Sequence, residues 1–172
     1  MQIFLSYSRG DAQQAAAWVE DLERCGYRVW IDRAGIHGGD QWKAMIVRSI
    51  QEAQAIVLLL SPNSTRSDNV RREIDVACDA KKPIIPVEIQ ATRVPPEFGY
   101  QLAGAQILRV WNDPRGGLGL VRTALKAAGV ERSSARIVEA RPGGRTSGEA
   151  NVDLADIGQL GFLNKIAFWR RD

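Results

Sequence analysis

The feature that most constrains this chain is a set of short, wholly apolar runs separated by helical patterns, sharpest between Ala55 and Val87. Ala55-Ile56-Val57-Leu58-Leu59-Leu60 stops at Ser61-Pro62, and Ile84-Ile85-Pro86-Val87 follows Lys82-Pro83. Between them lie a polar loop, Ser64 to Asn69, and a helical pattern that carries Glu73 in its first turn or two. Apolar runs of this length, without polar alternation, fit strands buried on both faces. Strand, helix, strand in that order predicts a parallel pair joined by a crossover. In open sheets of this kind, ligands sit outside the carboxyl ends of the strands. A glutamate just past such an end is therefore the first residue to consider for chemistry.

The rest of the chain repeats the alternation. Ile3 to Tyr7 reads as a first strand, and Asp11 is placed to cap a helix in which Ala15, Trp18, Val19 and Leu22 recur at helical spacing. Gly26 suits a left-handed helix stop. Arg28 to Ile31 reads as a second strand. A glycine-rich loop, Asp32 to Asp40, then leads to a helix with Trp42, Met45, Ile46 and Ile50 on one face. That spacing favours core packing for Trp42 over a place in a ligand pocket. A helix from about Val70 to Ala80 follows the third strand. After the strand at Ile84, the stretch from Gln90 to Gly104, with Pro95 and Pro96, reads as loose. Gln106 to Val110 fits a fifth strand and Leu118 to Ala128 a last helix.

Five strands alternating with helices predict an α/β fold: a flavodoxin-like, doubly wound, five-stranded parallel sheet in the order 2-1-3-4-5, with helices on both faces. The domain is expected to span residues 1–129. Residues 130–151 read as a flexible linker, Gly/Ser/Pro-rich around Arg141 to Gly148. Residues 152–172 form an apolar C-terminal segment that suits an approach to a further region. Removing residues 130–172 is expected to leave the first domain folded.

Composition narrows the class. The 172 residues carry a net charge of +3, with 45% hydrophobic and 25% charged residues, an ordinary balance for a soluble globular protein. The basic residues are dispersed rather than gathered in a stripe with aromatics, which argues against a nucleic-acid partner. No apolar stretch approaches the roughly 18 to 20 residues of a membrane span. Met1-Gln2-Ile3 lacks a basic leader, so a cytoplasmic location is expected, with Cys25 and Cys78 as reduced packing residues. No metal-ligand spacing occurs, and no metal is expected.

In the order 2-1-3-4-5 the switch point lies between the first and third strands. The loops Ser6 to Asp11 and Ser61 to Asn69 face each other there, and the loop Asp32 to Asp40 lies on the same side. Tyr7, Ser8, Arg9, Ile36, His37 and Glu73 thereby become neighbours. A phospho-accepting receiver would need acidic residues where this chain has Ser-Tyr-Ser and Leu-Ser-Pro. A nucleotide phosphate loop of the usual glycine patterns is absent from the sequence. His37 is the only histidine, which argues against a histidine-based triad and reads as a loop residue. Two readings of Glu73 stand at this point. A carboxylate beside an anomeric carbon can stabilise an oxocarbenium-like transition state or position water. A glutamate early in a helix is also an ordinary surface residue favoured by the helix dipole. Arg71 and Arg72 either lower its pKa or face solvent.

The residues also carry a family pattern. Ile3-Phe4-Leu5-Ser6-Tyr7-Ser8, Gly26-Tyr27-Arg28-Val29-Trp30-Ile31-Asp32, the Gly38-Gly39 loop before Trp42, Leu59-Leu60-Ser61-Pro62, and Lys82-Pro83-Ile84-Ile85-Pro86-Val87 resemble the TIR (Toll/interleukin-1 receptor) domain, in its prokaryotic style. The resemblance covers about residues 1 to 128 and implies the same wound sheet. It also implies two functions. Many TIR domains are NAD+ glycohydrolases that release nicotinamide and ADP-ribose or a cyclic isomer, often in defence or signalling. Others are adaptors that act by self-association. The family's catalytic glutamate falls on Glu73. The implied substrate contacts fall on Tyr7, Ser8 and Arg9 after the first strand, with Arg9 or a main-chain N–H toward the pyrophosphate, on Ile36 and His37 in the BB loop, and on Asn69. Asn69 stands where many active members carry an aromatic residue, usually tryptophan. NAD+ would be substrate rather than a recycled cofactor, and self-association would run through the loop from Asp32 to Asp40. A third reading is a nucleoside deoxyribosyltransferase, which shares the fold and the carboxylate chemistry.

Overall fold

The computed structural model describes residues 2–32 and 40–132. The elements run β1 (Ile3–Ser6), α1 (Ala12–Arg24), β2 (Val29–Ile31), α2 (Asp40–Glu52), β3 (Ala55–Leu60), α3 (Asp68–Asp79), β4 (Ile84–Glu88), α4 (Pro96–Gln101), β5 (Leu108–Arg109) and α5 (Pro114–Ala127). The sheet order is β2-β1-β3-β4-β5, and every pairing is parallel. The chain thus has the flavodoxin-like doubly wound fold that its alternating pattern predicts. The expected linker from residue 133 onward and the apolar segment 152–172 lie outside the described residues.

Period-two alternation along the strands divides the core. Ile3, Leu5, Val57, Leu59 and Val87 face α1 and α5, while Phe4, Ile56, Leu58 and Leu60 face α2, α3 and α4. All six residues of β3 are fully buried, as the unbroken apolar run requires of a central strand. The edges are short: β2 has three residues and β5 two, which limits unpaired backbone.

Pro86 sits inside β4 without breaking it. The N–H of Ile89 bonds the Leu60 carbonyl on the β3 side, and the Glu88 carbonyl accepts from Val110 on the β5 side. By alternation the nitrogen of Pro86 points toward β5, whose pairing with β4 begins only at Val87. The missing donor falls where the sheet has no neighbour to serve.

Gly26 ends α1 with φ 88°, as expected, and the N–H of Tyr27 returns to the Leu22 carbonyl. Other expectations are corrected. Residues 96–101 are helical rather than loose: Pro96 opens α4 from a position where its absent N–H costs nothing, and Phe98 and Leu102 insert into the second core. The fifth strand is two residues, and α5 begins at Pro114, earlier than the apolar periodicity indicates, because the Asp113 side chain caps it by accepting from the Gly116 N–H at 2.9 Å. Asp11 stands at the N-terminus of α1 but makes no capping bond. Its carboxylate is held instead by the loop after β3. Cys25 packs partly against the first core, whereas Cys78 is exposed and so is not a packing residue.

Packing continues past α5. Val130 is buried in the first core, and the Gln2 side-chain amide donates to the Glu131 carbonyl at 2.9 Å. A truncation after Arg132 is expected to melt like the full chain. One after Gly129 removes a buried valine worth about 1.5–3 kcal/mol and should lower Tm by roughly 5 °C or more. Differential scanning calorimetry of both truncations checks this; equal Tm values would refute it.

Candidate active site

The site follows from two periodicities meeting. Phe4 and Ser6 share one face of β1, so Ser6, the last residue of the strand, turns toward α3 at the carboxyl edge of the sheet. On α3 the buried stripe is Val70, Glu73, Ile74 and Ala77, at positions i, i+3, i+4 and i+7. Three of these are apolar and the fourth is a carboxyl. The helix starts where it does because the Ser67 hydroxyl caps it, accepting from the Val70 N–H at 3.4 Å. That start fixes the rotation that brings Glu73 over β1. The Ser6 hydroxyl donates to Glu73 Oε2 at 2.6 Å.

Glu73 is only 7% exposed. Burial pushes its carboxyl up to about 7; the Ser6 hydrogen bond pulls the other way, and the negative charge of Asp32 adds to the rise. Asp32 follows directly on β2, the strand beside β1. Arg71 and Arg72 are exposed, and Arg71 pairs with Asp68 within the helix. They do not set the state of Glu73. The surface-residue reading of Glu73 fails on its burial, and six residues beyond the cap it lies past the first turn, where the helix dipole acts.

The other expected residues distribute as follows. The Tyr7 hydroxyl donates to the Asp32 carbonyl at 3.0 Å, tying the end of β1 to the end of β2, while its ring packs against the core on the α1 side. Ser8 is half-buried at the entry to the 3-10 turn Arg9–Asp11, and Arg9 is exposed on it. Asn69 is exposed in the first turn of α3. Ile36 and His37, with most of the loop from Asp32 to Asp40, lie outside the described residues. Trp42 belongs to an aromatic stack, with Trp30 to Trp42 at 6.4 Å and Phe4 to Trp30 at 4.9 Å between ring centroids.

Reading residue by residue missed Ser6 and Asp32 as partners of Glu73. Two signals were present: a serine at an inward position of an otherwise apolar strand, and a glutamate on the apolar stripe set by Val70, Ile74 and Ala77. Among the described residues no group of three or more His, Cys, Asp or Glu could hold a metal. No helix among them is long and apolar enough to cross a membrane.

Fold and site together define a wound parallel α/β domain with one buried, readily protonated carboxyl beside its switch point. The chain belongs to the TIR domain family, whose model matches residues 3–119. Similar solved structures include the TIR domain of the Toll-related receptor TRR-2 from Hydra magnipapillata, at 16% identity and a TM-score of 0.58, covering 73% of this chain and 96% of that one. A metazoan TIR-STING receptor from C. gigas, solved with 2',3'-cGAMP, is 18% identical with a TM-score of 0.55 and covers 76% of this chain and 39% of that one. At such identities the likeness bears on fold alone. No curated protein matches the chain.

The raised carboxyl carries a signature in stability. Glu73 goes from an ordinary 4.5 to about 7, so the folded chain holds this proton more tightly than the unfolded chain does. The associated stability is fully present below about pH 4.5 and is lost as pH rises through about 7. The shift corresponds to about 3 kcal/mol. Denaturant titrations of the native chain and Glu73→Gln between about pH 4 and pH 8 should diverge, with the native chain losing about that much relative to the variant as pH rises. Parallel profiles would show that Glu73 is not held in a dry site.

Proposed function

We propose that this TIR domain cleaves NAD+ at the bond between nicotinamide and ribose, with Glu73 as the catalytic carboxylate. The observation that supports this most is the position of Glu73: a carboxyl set into the apolar stripe of α3, held by Ser6, at the carboxyl edge beside the switch point. The nicotinamide of NAD+ already carries positive charge, so it leaves without being protonated. The C1'–N bond breaks, its electron pair neutralises the pyridinium, and charge grows on the ribose. An ionised Glu73 stabilises that charge from a water-poor site. Water, or an internal nucleophile in a cyclising reaction, then bonds to C1', and the proton it releases goes to the carboxylate or to solvent.

Ser6 keeps the carboxylate oriented and favours its ionised form. Tyr7, Ser8 and Arg9, with Asn69 and the segment of Ile36 and His37, would bound the dinucleotide, Arg9 suiting the pyrophosphate. Assembly through the loop from Asp32 to Asp40, a cytoplasmic location and a role in defence or signalling belong to the same proposal. So does the division into a catalytic domain and a separate C-terminal segment.

The test is nicotinamide release from NAD+ by concentrated or artificially clustered protein. Glu73→Ala is expected to lose at least about a hundredfold in rate, and Ser6→Ala to retain part of it while shifting the ionisation of Glu73 upward. Equal rates for native and Glu73→Ala protein, or none in either, would favour an adaptor acting by self-association. Transfer of deoxyribose between bases, run in parallel, would instead identify the transferase reading.

A further inference from the structure

The loops on either side of the switch point are joined by a buried polar network that no step of the proposed reaction uses. Asp11, 2% exposed, accepts from the Ser61 hydroxyl through Oδ2 at 2.5 Å and from the Asn63 side-chain amide through Oδ1 at 2.7 Å. With its O–H directed at Asp11, the Ser61 hydroxyl oxygen accepts the N–H groups of Asn63 and Ser64 at 3.1 and 3.0 Å. Ser64 completes the knot: its hydroxyl accepts the Ser61 N–H at 2.8 Å and donates to the Ser61 carbonyl at 3.1 Å. Both serines are fully buried. The loops also pack closely, since a Cβ on Gly10 would lie 2.8 Å from the Asn63 amide nitrogen.

From this knot the chain runs directly into α3. The Ser67 N–H bonds the Ser64 carbonyl at 3.1 Å, and the Ser67 hydroxyl caps the helix. Six residues later comes Glu73. We propose that Asp11 is a positioning residue, clamping the loop after β3 to the end of β1 and so fixing where α3 starts and which way Glu73 faces. An aspartate fits this place because it accepts from both partners as they stand. Asparagine in its place has one acceptor oxygen instead of two, so the Asn63 amide must turn over or one of the two bonds is lost. The clamp also accounts for the failure of Asp11 to cap α1. Its catalytic consequence rests on the NAD+-cleavage reading, but its structural consequence does not.

The experiment is a 13C side-chain carboxyl titration of the full chain, with the Glu73 signal identified by its loss in Glu73→Gln. Asp11→Asn is expected to let water reach Glu73 and lower its midpoint by about one unit or more. Asn63→Ala, which removes one of the two bonds from an exposed residue, should lower it less and serves if Asp11→Asn does not fold. An unchanged midpoint in a folded variant would overturn the proposal, even if melting temperature fell, because a merely stabilising contact would move only the latter. In nicotinamide release, Asp11→Asn should lower kcat about tenfold or more with KM little changed, and shift the pH profile downward. Absence of release from the native chain would refute NAD+ cleavage while leaving the titration to decide the clamp.

Discussion

One hydrogen bond, from the Ser6 hydroxyl to a carboxyl set into the apolar face of a helix, organises everything else at this site. Burying a carboxyl is unfavourable unless it is neutral or well partnered. A second buried carboxyl in the same domain shows the contrast. Glu88, at the end of β4, accepts from the Thr92 N–H at 3.1 Å and from the Trp111 indole at 3.3 Å, and pairs with Arg109 at 3.2 Å. It has three partners across both oxygens and ties β4 to the segment around β5. Among the described residues, Glu73 takes a hydrogen bond from Ser6 alone and has the negative charge of Asp32 nearby. The same side chain, equally buried, acts as a rivet in one place and stands under-partnered in the other.

The wound topology supplies the geometry with few residues. Because β1 and β3 are adjacent and their connections leave in opposite directions, their following loops part at the carboxyl edge. The end of β1 contributes Ser6, the helix after β3 contributes Glu73, and the end of β2 contributes Asp32. Tyr7 spans β1 and β2 at that edge. The aromatic stack from Phe4 through Trp30 to Trp42 lies on the same face of β1 as Ser6 and joins α2 to the sheet. The Asp11 network links the loops after β1 and β3 directly.

The fold was legible because burial on both sides leaves an unbroken apolar run, and six such residues at Ala55–Leu60 admit no solvent-facing alternative. Strand order followed from counting strands. Glu73 was legible as a candidate through the family pattern and through its place after β3. Its partners were not, because a hydrogen bond across 67 residues of sequence leaves no local trace. Asp11 misled for a related reason: local spacing favours a cap, and tertiary donors of higher quality won. Pro95 and Pro96 misled because proline breaks a helix only from within, and here Pro96 begins one.

The resting ionisation of Glu73 links these features to the proposed chemistry. Burial raises the Glu73 carboxyl to about 7, which disfavours the ionised form that stabilising positive charge requires. Bringing a cationic pyridinium beside it would favour the ionised form and lower its pKa, as any nearby positive charge does. By linkage, whatever ionises Glu73 also gains affinity from that ionisation. A neutral nucleotide ring of the same shape would leave that equilibrium unshifted and gain nothing from it. Under the proposed reading, the substrate therefore favours the charge that acts on it. Discrimination for the oxidised, cationic dinucleotide over its reduced form would then need no contact to the ring beyond Glu73 itself.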